Sequence, residues 1–202
     1  MSIACNVDVW LVSLESEREA ILSHDEELRA ARFRFTEDRY RWIRARSSLR
    51  EILGNCSGLP ATELQFSLGP HGKPALVGDT GIEFSLSHSG SWAMVAVTRG
   101  TPVGIDIERI RDKVNMLALL HRLGDRGPDV STGSHQTDLF RAWTRREAMT
   151  KAVGGALLDA PTGDFRVADL DAPSGYAAAV ALVGCDPKVR QRGVLVPAVG
   201  TE

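Results

Sequence analysis

The sequence predicts an α+β chain made of two halves, residues 1–99 and 100–202. The order of elements carries that prediction. A strand, helices and strands are followed by a second strand, a helix and strands, and the change falls near Arg99-Gly100. The length carries it too, since 202 residues suit one globular unit or two small ones packed together. No internal repeat is visible, so the order of elements gives halves without giving symmetry.

Val7 to Val12 has partial alternation and reads as the first strand. Ser23 followed by Glu26 is a capping-box signature for a helix start. Helical spacing then continues from Glu27 to Leu53. Phe35-Thr36-Glu37-Asp38 marks a break within it, so a second helix is expected from Glu37 to Ile52, ended by Gly54 and Gly58-Leu59-Pro60. Short strands are expected at Leu64–Leu68, Ile82–Leu86, Trp92–Thr98 and Val103–Ile107, parted by turns such as Gly69-Pro70-His71-Gly72. Val114–Leu123 reads as a short helix and Gly124–Thr137 as a loop. Thr137–Val153 reads as a stronger helix, stopped by Gly154-Gly155. The tail offers strands at Phe165–Val167, Ala177–Val183 and Val194–Val196.

The composition is 43% hydrophobic and 25% charged. A unit of this size buries about 70% of its unfolded surface and needs no disulfide or structural metal. The net charge of −2 gives no global field for nucleic acid. The N-terminal stretch lacks a basic segment, and no 18-residue apolar run exists, so neither export nor a membrane span is expected. Cys5, Cys56 and Cys185 are odd in number and scattered, which predicts free thiols and a cytoplasmic protein. The basic residues are 20 Arg and only 4 Lys: Lys73, Lys113, Lys151 and Lys188. Arg binds phosphate but cannot exchange protons near neutral pH, whereas Lys can do both.

Four constellations carry chemistry. In Gly104-Ile105-Asp106-Ile107-Glu108 the two acids share one strand face. Side by side they suit a hard cation such as Mg²⁺, or are two ordinary surface acids. In Trp143-Thr144-Arg145-Arg146-Glu147-Ala148-Met149-Thr150-Lys151, Glu147 and Lys151 lie one turn apart. They form either a surface ion pair or the third carboxylate and the lysine of a site for phosphate chemistry. Residues 28–50 hold eight Arg against Glu37 and Asp38, a local +6. That is a solvated amphipathic face or a clamp for a polyanion or an acidic protein. Gly72-Lys73-Pro74 presents a lysine in a turn, and Phe84-Ser85-Leu86-Ser87-His88-Ser89 ends a strand in hydroxyls and a histidine. No G-x-S-x-G elbow surrounds Ser87, which argues against a serine hydrolase.

In this order and register, GKP, FSLSHS, GIDIE and WTRREAMTK resemble the 4′-phosphopantetheinyl transferase superfamily, in its longer Sfp-type branch and nearer the W/KEA subgroup. The resemblance runs from about Arg29 to Leu158. It implies a fold of two pseudo-symmetric halves with the active site between them, in a cytoplasmic monomer. It implies transfer of the phosphopantetheine arm of coenzyme A to a serine of an apo carrier protein of fatty-acid, polyketide or non-ribosomal-peptide machinery, releasing adenosine 3′,5′-bisphosphate. Asp106, Glu108 and Glu147 would hold Mg²⁺, with Mn²⁺ the alternative ion. Lys151 would contact the pyrophosphate and protonate the leaving phosphate, and Glu147 would take the serine proton. Ser87 and His88 match the segment at the 3′-phosphorylated ribose. Lys73 matches an adenine- and phosphate-side lysine, and Arg29 and Arg41 match the N-terminal coenzyme A clamp. Three departures stand out: Arg146 where Lys is common, Gly154-Gly155-Ala156-Leu157 without the usual basic residue, and Leu117–Asp129 without an F-S-x-x-E pattern at the carrier surface. The other readings are a non-catalytic module that binds coenzyme A or a carrier protein, and a Mg²⁺-dependent phosphohydrolase.

Overall fold

The computed structural model describes residues 4–17, 19–112, 115–124, 136–156 and 161–195. Lys113, Leu157, Val196 and most of the loop expected at Gly124–Thr137 lie outside these residues.

β1 (Ala4–Ser13) leads to α1 (His24–Ala30) and α2 (Thr36–Ser57). The amide of Ser23 donates to Glu26 Oε2 at 2.8 Å, the glutamate half of the expected capping box. α2 runs longer than its sequence signals. Gly58, left-handed at φ 77°, closes it with an N–H bond to the Gly54 carbonyl. Gly54 is interior instead: a Cβ there would come within 3.0 Å of the Leu59 carbonyl, so the chain beyond the helix folds back over it.

β2 (Phe66–Leu68) and β3 (Pro74–Leu76) form a separate two-stranded sheet. β4 (Ile82–Ser89), β5 (Trp92–Arg99) and β6 (Val103–Arg109) follow, then α3 (Met116–Arg122) and α4 (Gln136–Ala152). β7 (Phe165–Asp169), β8 (Tyr176–Val183) and β9 (Asp186–Leu195) complete the chain. The largest sheet has the order β4-β5-β1-β9, antiparallel except for β1 with β9. The third sheet is antiparallel, in the order β6-β8-β7. β3 and the first part of β9 were not expected. β3 is three residues long and begins at Pro74, and β9 opens on polar Asp186-Pro187-Lys188. Proline is tolerated there because β9 is an edge strand.

Side-chain alternation assigns the layers. Phe84, Val95 and Val97 face Leu49, Ile52 and Leu53 of α2. Val9, Met94 and Ala96 face Ile105, Ile107, Val180 and Leu182 of the third sheet. The alternate residues of β8 are alanines 177, 179 and 181, which pack toward α4. Their small size lets that helix lie close.

Cys5 and Cys185 are joined by a disulfide, with Cα atoms 5.9 Å apart, which corrects the expectation of three free thiols. They are 180 positions apart in sequence, and the parallel β1–β9 pairing, Ala4 opposite Asp186 and Cys5 opposite Pro187, brings them together. Cys56 stays free. Among the described residues no helix is long and apolar enough to cross a membrane.

Candidate active site

The site begins at Gly104. A Cβ there would stand 2.0 Å from the Ala148 carbonyl oxygen and 2.4 Å from the Ala152 nitrogen. Only glycine lets α4 lie this close to β6, and the approach brings Lys151 against Asp106. Lys151 Nζ donates to Asp106 Oδ1 at 2.6 Å and to Ser87 Oγ at 3.0 Å. Ser87 Oγ in turn donates to Asp106 Oδ1 at 2.7 Å.

Three serines on one face of β4 join it to β6. Ser85 Oγ accepts from the Ile105 amide at 3.2 Å, and Ser89 Oγ donates to Glu108 Oε2 at 2.8 Å while accepting from the Arg109 amide. The resemblance put Ser87 at the ribose, but its hydroxyl lies on Asp106 and Lys151. His88, with the opposite side-chain direction on the strand, lines the cavity beside the site. Desolvation in the cavity wall holds its pKa below the ordinary histidine value, helped by the charges of Lys151 and Arg41, although the residue keeps an exposed edge.

Glu147 is buried, and burial with the charges of Asp106 and Glu108 raises its pKa to about 7 against the pull of Lys151. Burial, with Asp106, also raises that of Glu108 despite its bond from Ser89. Among the described residues no three His, Cys, Asp or Glu side chains gather closely enough to hold a metal ion. Like carboxylates repel, and here the Lys151 ammonium supplies the compensating charge. Two buried oxygens nevertheless lack hydrogen-bond partners, Asp106 Oδ2 and Glu147 Oε1. Unpartnered buried carboxylate oxygens are a donor set that fits a hard cation.

A cavity of about 940 Å³ opens beside this cluster. Glu147, Lys151, His88 and Lys73 line it together with Arg29, Arg46 and Arg50 of the first two helices. Asp106, Glu108 and Ser87 stand behind Lys151 and are not part of the lining. Arg41 does not line it either: it pairs on the surface with Glu37 at 3.0 Å and Glu15 at 3.7 Å. Lys73 points its ammonium at backbone carbonyls, Val103 at 3.0 Å and Ala152 at 3.1 Å.

Glu26 was legible only as a helix cap. It also binds Arg46 through Oε1 and Arg50 through Oε2, the latter at 2.7 Å. Arg50 is 1% exposed and donates to the carbonyls of Ala61 and Leu64. Both guanidiniums lie over the Phe66 ring, Arg46 at 4.0 Å. The i,i+4 spacing of Arg46 and Arg50 was the available signal, but Glu26 lies 20 residues from Arg46. Ser89 was missed as a partner of Glu108; the alternation of serines at 85, 87 and 89 was its signal.

Residues 13–100 match the family model for the 4′-phosphopantetheinyl transferase N-terminal region. Residues 102–194 match that of the 4′-phosphopantetheinyl transferase superfamily. The chain is 33% identical over 165 residues to the 4′-phosphopantetheinyl transferase HetI of Nostoc sp., covering 75% of this chain and 70% of that protein. The chain belongs to the 4′-phosphopantetheinyl transferase superfamily. Other superfamily relatives include AcpT of Escherichia coli O157:H7, 34% identical over 58% of this chain and 60% of AcpT. Sfp of Bacillus subtilis is 27% identical over 76% of this chain and 69% of Sfp. These superfamily matches agree with the resemblance seen in the motifs.

Proposed function

We propose that the protein transfers the phosphopantetheine arm of coenzyme A to a serine of an apo carrier protein. One observation carries the reading: Lys151, bonded to Asp106, and Glu147 line one cavity together with Arg29, Arg46 and Arg50 of the first two helices. Coenzyme A has matching charges, a pyrophosphate and a separate 3′-phosphate.

In this reading the serine oxygen attacks the phosphorus that carries pantetheine. A new oxygen–phosphorus bond forms, and the bond to the bridging pyrophosphate oxygen breaks. Adenosine 3′,5′-bisphosphate leaves. Glu147 takes the hydroxyl proton. Lys151 gives a proton to the leaving phosphate. Arg29, Arg46 and His88 face the nucleotide. Asp106 and Glu147, through their unpartnered oxygens, would hold Mg²⁺ or Mn²⁺, with Glu108 as the third carboxylate once its side chain turns from Ser89, and the ion when bound supplies neutralisation of the pyrophosphate charge. The reading includes two pseudo-symmetric halves, 1–99 and 100–202, flanking the site in a cytoplasmic monomer. In that compartment thiols are kept reduced, so Cys5 and Cys185 would work there largely as thiols.

The test is incubation with coenzyme A, Mg²⁺ and a panel of apo carrier proteins, read by mass spectrometry. A gain of one phosphopantetheine arm is expected. Asp106→Ala and Glu147→Ala should abolish the gain while thermal unfolding stays cooperative. Full transfer by either variant would remove the roles given to these carboxylates, and binding without any gain by the unaltered chain would favour a non-catalytic module.

A further inference from the structure

Lys73 stands in the turn between β2 and β3, which Gly72 permits by adopting φ 81°. Its ammonium crosses to two elements distant in sequence. One target is the carbonyl of Val103, the first residue of β6, and the other is that of Ala152, the last residue of α4. The final carbonyls of a helix have no partner within it and carry the negative end of its dipole. A cation there is favourable on both counts. The next residues close the helix in their own way, the Gly154 amide bonding the Lys151 carbonyl and the Gly155 amide the Thr150 carbonyl. A Cβ added at Gly154 would stand 3.6 Å from Lys73 Cδ, so the aliphatic stem runs directly over this terminus.

The place matters because α4 meets β6 without a gap at Gly104, and the Lys151–Asp106 contact is made across the same join. Lys73 binds both members of that join, the start of the strand and the end of the helix. A compact lysine ammonium with three donors can meet two carbonyls at 3.0 and 3.1 Å.

We infer that Lys73 is a positioning residue that clamps the C-terminus of α4 to β6 and so fixes Lys151 against Asp106. This role is additional to the one the family resemblance implied for it. The kinetic part of the inference rests on the transferase reading; the structural part does not.

The experiment uses Lys73→Met in the full chain, with two readouts. Hydrogen exchange at the amides of Gly154 and Gly155 is expected to accelerate at least tenfold, because the terminus loses its clamp. In the transfer assay kcat is expected to fall at least tenfold while KM for coenzyme A stays within about twofold, since small displacements of a catalytic group cost turnover. Unchanged exchange at 154 and 155, or an unchanged kcat, overturns the inference. If Lys73→Met does not fold, Lys73→Gln serves: it keeps a donor for the carbonyls, so exchange at 154 and 155 near that of the unaltered chain is expected, and a tenfold acceleration overturns the inference. If the unaltered chain transfers nothing, the transferase reading fails, and the exchange readout still decides the clamp.

Discussion

Glu26 accepts from Arg46, Arg50 and the Ser23 amide, all in the wall of the cavity. Burial raises its pKa, but the bonds from Arg50 and Ser23 and the charge of Arg46 outweigh that, and the net result lies below the ordinary value of 4.5. A carboxyl with a lowered folded pKa contributes stability that is complete above its unfolded value and is lost as pH falls through the folded one. Glu26→Gln removes one partner of a buried ion pair and should cost about 3 kcal/mol at pH 7. The stability gap between the two proteins should shrink on acidification below about pH 4.5, as seen in urea melts across pH. A gap that does not change with pH would mean that Glu26 is not ionised in the fold. Lys151→Arg keeps a charge for phosphate but removes the ammonium proposed to give the leaving phosphate its proton, a role a guanidinium does not take. Coenzyme A binding should persist, measured by calorimetry, while turnover is lost; retained turnover would leave Lys151 as an anchor only.

The join of α4 with β6 is decided at the level of elements. Gly104 of the strand lies against the Ala148 carbonyl and the Ala152 amide, while alanines 179 and 181 of β8 complete the floor under the helix. Gly104→Ala would place a methyl 2.0 Å from a carbonyl oxygen, so the helix must lift. Overpacking of this kind costs about 1–3 kcal/mol. Because Lys151 and Glu147 ride on that helix, the loss of transfer should exceed the loss of folded protein. Circular dichroism and the transfer assay at one temperature separate the two. The strand pattern of β6 was legible, since Ile105 and Ile107 alternate with Asp106 and Glu108. The packing role of Gly104 was not, because a glycine inside a strand pattern signals a close approach without saying which element approaches.

For the whole molecule, β9 returns to pair with β1, and the Cys5–Cys185 bond closes the chain beside that pairing. A loop of this length removes enough unfolded-state entropy to stabilise by roughly 5 kcal/mol on the chain-entropy model. Reduction should therefore lower Tm measurably, and Cys5→Ser with Cys185→Ser should do the same and abolish the effect of reductant. An identical Tm with and without reductant would show that the bond contributes nothing. Local spacing was enough to read α1, α2, α4 and the apolar strands, because each has its own period and its own stop signals. The motif residues Asp106, Glu108, Glu147, Lys151 and His88 were legible for the same reason: their types and spacing are local, and in register they identify the superfamily. Other features depend on residues far apart in the chain. Glu26 meets Arg46, Lys73 meets Ala152, Ser89 meets Glu108 and Cys5 meets Cys185 only after the layers pack. A sequence period reports which face a side chain takes, and so the sequence by itself determined the elements and the chemistry available. Which partner each buried charge would find was decided by the tertiary structure, because desolvation leaves such a charge little choice but the nearest compensating group.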